Sequence, residues 1–72
     1  MGETQRLAND LRSIAEQIAE EAIATLRRAM RAEAEEQATL KASEKRLTRS
    51  RRAVEKAIDL LDGAGDPDPF DA

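Results

Sequence analysis

No cysteine, histidine, tryptophan or tyrosine occurs in this 72-residue chain. Disulfide bonds are therefore excluded, and a structural zinc site, which is built mainly from Cys and His, is not expected. Without His or Cys, the commonest general base and the usual thiol nucleophile are missing as well. We predict that the protein is not an enzyme and that it binds no metal ion or cofactor.

Glycine and proline are confined to the two ends of the chain. Between Glu3 and Asp62 there is neither, and this stretch is rich in Ala, Leu, Glu, Arg, Lys and Gln, the strongest helix formers. Thr4 can act as an N-cap, and Gly63 is suited to end a helix as a C′ residue. The sequence therefore predicts an all-α protein.

Long apolar runs are also missing. No stretch approaches the ~20 residues that a membrane-spanning helix needs, and no signal-peptide pattern opens the chain. Charged residues make up 38% of the chain, yet the net charge is only −3, which argues against a general affinity for nucleic acid. A cytoplasmic location without membrane contact is expected.

The supply of large apolar side chains is small. Fourteen of the apolar residues are Ala; apart from Met1 and Phe70, the others are seven Leu, four Ile, one Val and Met30. Each contributes roughly 1.5–3 kcal/mol when fully buried, whereas ordering the chain costs about 1.5 kcal/mol per residue. A lone monomer is thus expected to be marginal. We predict that a second copy, giving a dimer, or another protein completes the fold.

A gap in the large apolar residues divides the helical stretch. After Met30 the next one is Leu40, and a helix crossing this gap would have no strong apolar stripe for more than two turns. We place an elbow within residues 33–43. It gives an antiparallel hairpin over residues 1–62, with helices over 4–33 and 40–62. No Gly, Pro, Asn or Asp marks this elbow, so one continuous coiled-coil helix is the alternative.

Each half of the stretch carries an apolar stripe at helical spacing. In the first half the spacing starts as 4-3-4 and continues in steps of four, so the stripe moves round the helix and broadens. In the second half large residues recur every seven positions with small residues between them, as in a heptad seam. The predicted partner interface comprises Leu7, Leu11, Ile14, Ile18, Leu26 and Met30 from the first stripe and Leu40, Leu47, Val54, Ile58 and Leu61 from the second.

Charge is sorted along the chain. Residues 39–58 carry seven basic and two acidic side chains, whereas residues 59–72 carry five Asp and no basic residue. Helical spacing places five of the basic side chains on one face, behind the second stripe. This basic stripe comprises Lys41, Lys45, Arg49, Arg52 and Lys56. It is a solvated outer face, a contact for an acidic protein, or a contact for nucleic-acid phosphates.

Residues 63–72 are polar and acidic and contain both prolines, which predicts an extended or disordered tail. The only aromatic residue of the chain lies in Asp68-Pro69-Phe70, which looks like the tripeptide that endocytic adaptors bind. A linear binding motif is therefore the alternative to a tail that only keeps the protein in solution.

The stretch Arg52–Leu61 resembles the second helix of the small co-chaperones of type III secretion needle subunits. The resemblance covers ten residues, and it implies a hairpin whose helices pack on a larger chaperone. The turn of that family commonly has a Gly, which residues 33–43 lack. The layout is also similar to the helical-hairpin dimers that regulate plasmid copy number, although their RNA-binding helix carries an aromatic residue that has no match here.

Together these features predict a non-catalytic helical protein that binds protein partners as an adaptor, co-chaperone or regulator. One alternative is a dimeric nucleic-acid-associated regulator that uses the basic stripe. Another is a small inhibitor from a phage or other mobile element.

Overall fold

The computed structural model describes residues 2–63, and these form two α-helices. Helix α1 spans Glu3–Arg31 and helix α2 spans Ala34–Asp62, each with 29 residues. Only Ala32 and Glu33, both with extended backbone, join them. Because so short a link reverses the chain, the helices pack side by side and antiparallel, which confirms the predicted all-α hairpin.

Glycine sets the outer end of each helix. Gly2 has φ +78° and precedes α1, which begins at Glu3. Thr4, the predicted N-cap, therefore lies inside the first turn. Gly63 has φ +68°, in the left-handed region, and donates its N–H to the Leu60 carbonyl at 3.2 Å. Gly63 thus ends α2 as the C′ residue expected from the sequence, since residues with a Cβ rarely adopt this conformation.

The link is shorter and lies earlier than the elbow that we predicted within residues 33–43. Residues 34–43 are helical, and the first helix ends at residue 31. The reason is that Ala, Glu and Gln favour a helix strongly enough to form one without a large apolar neighbour. Hydrogen bonds replace the missing turn residues, because the Ala29 carbonyl accepts both the Ala32 N–H at 3.2 Å and Gln37 Nε2 at 3.1 Å.

Helix α1 meets α2 mainly through small side chains. All but one of the nine buried and half-buried residues of α1 and the link recur at alternating spacings of three and four, the pattern of two helices in lengthwise contact; the exception is Ala19. These eight residues, which we call the alanine seam, are Ala8, Leu11, Ala15, Ile18, Ala22, Thr25, Ala29 and Ala32. Alanine lets two helix axes approach to the short end of the usual 8–10 Å range.

Helix α2 supplies most of the larger side chains between the helices. Its heptad residues, Leu40, Leu47, Val54 and Leu61, face α1 and are half-buried, and Ile58 beside them is buried. Of the small residues between them in the sequence, Ser43 and Ser50 are exposed and Ala57 is half-buried. Within residues 2–63 no large side chain is fully buried, and Ile58, at 8% exposure, comes nearest. The core of the hairpin is therefore one thin layer.

Six large apolar side chains remain exposed on the described hairpin, and five of them belong to α1. Their exposed fractions range from 43% for Ile14 to 75% for Met30. The six are Leu7, Ile14, Ile23, Leu26, Met30 and Leu60. Because α1 turns its alanines toward α2, its larger side chains are left on the two sides of the seam.

We expect Ala29→Leu to destabilise the hairpin, because Ala29 is completely buried and a larger side chain must push the helices apart. Overpacking of this kind costs about 1–3 kcal/mol. Ala24→Leu is the matched control, since Ala24 is exposed on the same helix. Urea unfolding followed by circular dichroism should give a lower midpoint for Ala29→Leu alone. Equal midpoints for the two variants would mean that the seam is loosely packed.

Ile58→Ala should lower the free energy of unfolding by about 2 kcal/mol or more, the usual range for removing a buried aliphatic side chain. The matched control is Ile23→Ala, which deletes the same atoms at a position that is 52% exposed. Exposed substitutions usually change stability by less than about 0.5 kcal/mol. Thermal unfolding of both variants measures the difference, and losses of similar size would contradict the packing described above.

Candidate protein-binding surfaces

A groove runs along one side of the hairpin between the two helices. Near the turn it encloses about 160 Å³. Its floor and its α1 wall are apolar, and its α2 wall is polar and charged. The α1 lining is Ile18, Ala19, Ala22, Ile23 and Leu26, and the α2 lining is Glu44, Leu47, Thr48 and Arg51. An apolar wall thus faces a charged wall across a shallow trough.

The groove continues toward the open end of the hairpin. A second concave stretch of about 260 Å³ shares Ala19 and Arg51 with the first, so the two stretches are continuous. Its lining includes Arg12 and Glu55, and Arg51 forms a salt bridge with Glu55 at 3.3 Å. Arg12 also forms an ion pair with Asp62, which joins the two helices at this end. Both stretches of the groove therefore have an apolar floor, and the stretch toward the open end has more charged side chains at its edges.

The structure divides the predicted interface residues into two groups. Seven lie between the two helices and hold the hairpin together, so they belong wholly or partly to its own core. These seven are Leu11, Ile18, Leu40, Leu47, Val54, Ile58 and Leu61. The other four, Leu7, Ile14, Leu26 and Met30, are exposed. Only this second group is fully free to meet another protein within the described hairpin.

The four exposed residues lie on opposite sides of the seam. Leu7 and Ile14 each immediately precede a seam residue, whereas Leu26 immediately follows one. For two consecutive seam residues, the position just before the first and the position just after the second lie on opposite sides of the helix contact. Leu26 lines the groove, and Met30 is four positions further along the same helix. The broad stripe predicted from the sequence is therefore two separate apolar patches.

Our prediction of the interface omitted the alanines. Ala8, Ala15 and Ala29 are buried in the contact between the helices, although none was among the predicted interface residues. The signal was present in the sequence, since the seam alternates spacings of three and four without a break from residue 8 to residue 32. A pattern that is read from large apolar residues alone does not reveal such a seam.

All five residues of the basic stripe are exposed on α2. The three salt bridges found within residues 2–63 involve other side chains. Arg51, their neighbour in the sequence, instead lines the groove. In the described hairpin the stripe therefore faces solvent with its charges uncompensated by close ion pairs.

The predicted acidic tail, with Phe70, lies beyond residue 63 and so outside the described residues. Neither helix of the described hairpin has an apolar stretch that could cross a membrane. No three acidic side chains in residues 2–63 converge on a position that could hold a metal ion.

No protein-family model matches the chain, and no curated protein or solved structure is significantly similar to it. The resemblance to needle-subunit co-chaperones therefore stays a prediction. Function has to be inferred from the two apolar patches, the groove and the basic stripe.

Proposed function

We propose that the protein is a non-catalytic binding protein that receives an amphipathic helix of another protein in its groove and so acts as an adaptor, co-chaperone or regulator. The observation that carries this proposal is the exposure of Ile23, Leu26 and Met30 on the groove side of α1. Contiguous exposed apolar side chains with a polar rim are typical of protein-binding surfaces. Their location on a helix gives the surface a fixed shape.

The dimensions of the groove favour side chains of a protein over a small molecule. Its two concave stretches, about 160 and 260 Å³, form an open trough and not one of the enclosing cavities of ~300–1,000 Å³ that are typical of small-molecule sites. Both are open along their length, and they follow each other between two parallel ridges. A helix laid along such a groove places side chains at i, i+3 or i+4, and i+7 in successive depressions.

The charges beside the groove define the chemistry of the partner. Thr48 forms part of the α2 wall, and Lys45 and Arg52 lie three and four positions from it. Residues at these spacings are neighbours on a helix surface. The outer edge of the α2 wall is therefore basic. We expect a partner helix whose apolar face contacts Ile23, Leu26 and Met30 and whose edge toward α2 is acidic.

A photo-crosslinking amino acid at position 23 tests this proposal in the cells that naturally make the protein. It should form a cross-link to a segment with helical apolar spacing and acidic residues along one edge, identified by mass spectrometry. The control carries the same crosslinker at Ser13, which is exposed on α1 and does not line the groove. Leu26→Asp should reduce the yield at least about tenfold, because it places a carboxylate in an apolar contact. Ser13→Asp adds the same charge and should leave the yield unchanged.

Three results would contradict the proposal. Equal cross-linking from positions 13 and 23 would mean that contact is not confined to the groove. A partner segment without an acidic edge would remove the assigned role of the α2 wall. Cross-links to a second copy of the chain alone would mean that the groove serves self-association.

A second candidate function is binding to nucleic acid through the basic stripe, and it is favoured by the exposure of all five side chains on one helix. Fluorescence polarisation with short RNA and DNA duplexes at several salt concentrations tests it. If all five side chains contact phosphates, the logarithm of the affinity should fall with the logarithm of the salt concentration with a slope of about −4.5. Lys45→Gln with Arg52→Gln should reduce that slope by about two. Binding that ignores salt, or no binding at low salt, would dismiss this function.

A further inference from the structure

The side of the hairpin opposite the groove carries the second apolar patch, near the open end. Leu7 and Ile14 are 48% and 43% exposed and lie seven residues apart on α1. Leu60, which is 54% exposed, lies on the last turn of α2. Ala57 immediately precedes the buried Ile58, just as Leu7 immediately precedes the buried Ala8. Leu60 is three positions after Ala57 and so lies on the same side of the hairpin as Leu7. We call Leu7, Ile14 and Leu60 the open-end patch.

The seam residues beneath this patch are incompletely covered. Leu11 on α1 and Val54 and Leu61 on α2 are half-buried, although each lies in the contact between the helices. In a complete core, residues of this type are fully buried. The hairpin therefore has an apolar layer that another element could complete.

The level of each residue along the hairpin follows from its distance to the link. The two helices start from a link of two residues, Gln37 bonds to Ala29, and Arg51 lines the groove beside Ala19. An α2 residue therefore lies at about the height of the α1 residue that is equally far from the link or a few residues closer to it. Leu7 is therefore near the level of Leu60, and Ile14 near that of Ala53. In the same way Glu21 lies near the level of Arg46.

On this side, a row of residues on α1 and a row on α2 have similar patterns of apolar and charged side chains. The α1 row has a spacing of seven and consists of Leu7, Ile14, Glu21 and Arg28. The α2 row, also with a spacing of seven, consists of Leu60, Ala53, Arg46 and Thr39. Leu7 lies level with Leu60, Ile14 with Ala53, and Glu21 with the oppositely charged Arg46, whereas Arg28 lies level with the neutral Thr39. Within residues 2–63 neither Glu21 nor Arg46 forms a salt bridge, so both charges remain available to a partner.

From this match we infer that a second copy of the chain packs on the open-end patch, related by a two-fold axis parallel to the helices. Such an axis keeps every residue at its own level and places α1 of one copy against α2 of the other. The result is a four-helix bundle with both turns at the same end. Three matched pairs meet twice each: Leu7 with Leu60, Ile14 with Ala53, and Glu21 with Arg46.

The other two-fold arrangement is less favourable. An axis perpendicular to the helices, through the middle of the hairpin, would place α1 against α1 of the second copy in the opposite direction. Leu7 would then meet Arg28, and Ile14 would meet Glu21, so two apolar side chains would lie against charges. Desolvating an unpaired charge against apolar side chains is costly. The charges on this side therefore select the arrangement in which the turns lie together.

The size of the face is sufficient for a stable dimer. The described hairpin measures 48 by 27 Å in its two longer dimensions, so an interface of the roughly 800 Å² per partner that is typical of stable dimers fits on one broad side. A second copy is also available wherever the chain is made, which suits a hairpin whose own core is one thin layer. This inference uses the side opposite the groove and does not depend on the proposed function.

Sedimentation equilibrium of the whole chain tests the inference. The wild-type protein should sediment with twice the mass of the 7.9 kDa chain at micromolar concentrations. Ile14→Asp should weaken the dimer at least about a hundredfold, because each interface would bury two carboxylates against apolar side chains. Ile23→Asp is the matched control, since it makes the same change on the groove side and should leave the dimer intact. A folded wild-type monomer, or equal weakening by both variants, would overturn the inference.

A charge exchange covers the case in which Ile14→Asp also unfolds the chain. Glu21→Arg and Arg46→Glu should each weaken the dimer about tenfold, because each places like charges opposite each other. The variant with both changes should recover most of the affinity, since the two pairs are restored with opposite polarity. Additive weakening in the double variant would show that these two residues do not meet.

Spin labels measure the relative direction of the two copies. The chain has no cysteine, so Glu35→Cys provides a single labelling site beside the turn. If the turns lie together, the distance between the two labels should be below about 30 Å, since neighbouring helices of a bundle are about 10 Å apart. Turns at opposite ends would separate the labels by nearly the full 48 Å length of the hairpin. The longer distance would overturn the proposed axis.

Discussion

The contact between the small residues of α1 and the heptad residues of α2 determines most other features of the hairpin. Alanine allows two helices to lie close together, but each buried Ala removes little apolar surface from water. The contact therefore provides a defined geometry with modest stability. It also uses the centre of the apolar face of α1, so the larger side chains on its two sides remain exposed. The surfaces available to partners follow directly from the choice of residues for the seam.

The two-residue link adds a second constraint, because it fixes which parts of the two helices lie at the same level. Glu21 is level with the basic part of α2 for this reason, and Leu7 is level with its last turn. A longer loop would allow the helices to shift along each other by a turn. Hydrogen bonds from Gln37 and Ala32 to the Ala29 carbonyl hold the link in place. The sequence of each helix therefore determines which residues of α1 and α2 lie side by side on a face of the hairpin.

Helix content was predictable from the sequence, because sixty residues without Gly or Pro and rich in strong helix formers leave no other secondary structure. The heptad residues of α2 were predictable too, since only they provide large apolar side chains at constant spacing. The position of the link was not. A gap in apolar residues marks where packing is weak, whereas the chain reverses at Ala32 and Glu33, which carry no turn signal.

The division of the first stripe into two patches was also missed, and the reason is physical. Leu7, Ile14, Leu26 and Met30 are all apolar, and helical spacing alone groups them on one broad face. Which of them is buried depends on where the partner helix lies on that face. The alanine seam decides this by allowing the closest approach, and it leaves Leu7 and Ile14 on one side and Leu26 on the other. Small residues carry this information, although they contribute little to a hydrophobicity pattern.

The two patches lie on opposite sides of the hairpin and near opposite ends, so the occupation of one does not obstruct the other. In a dimer formed through the open-end patches, the two grooves would face outward from opposite sides of the bundle. Each dimer would then present two identical grooves in a fixed relation. A partner with two suitable helices, or a partner that is itself a dimer, would bind both grooves more tightly than one, because the second contact is intramolecular. Self-association through one patch would thus increase the strength of binding through the other without any change in the groove.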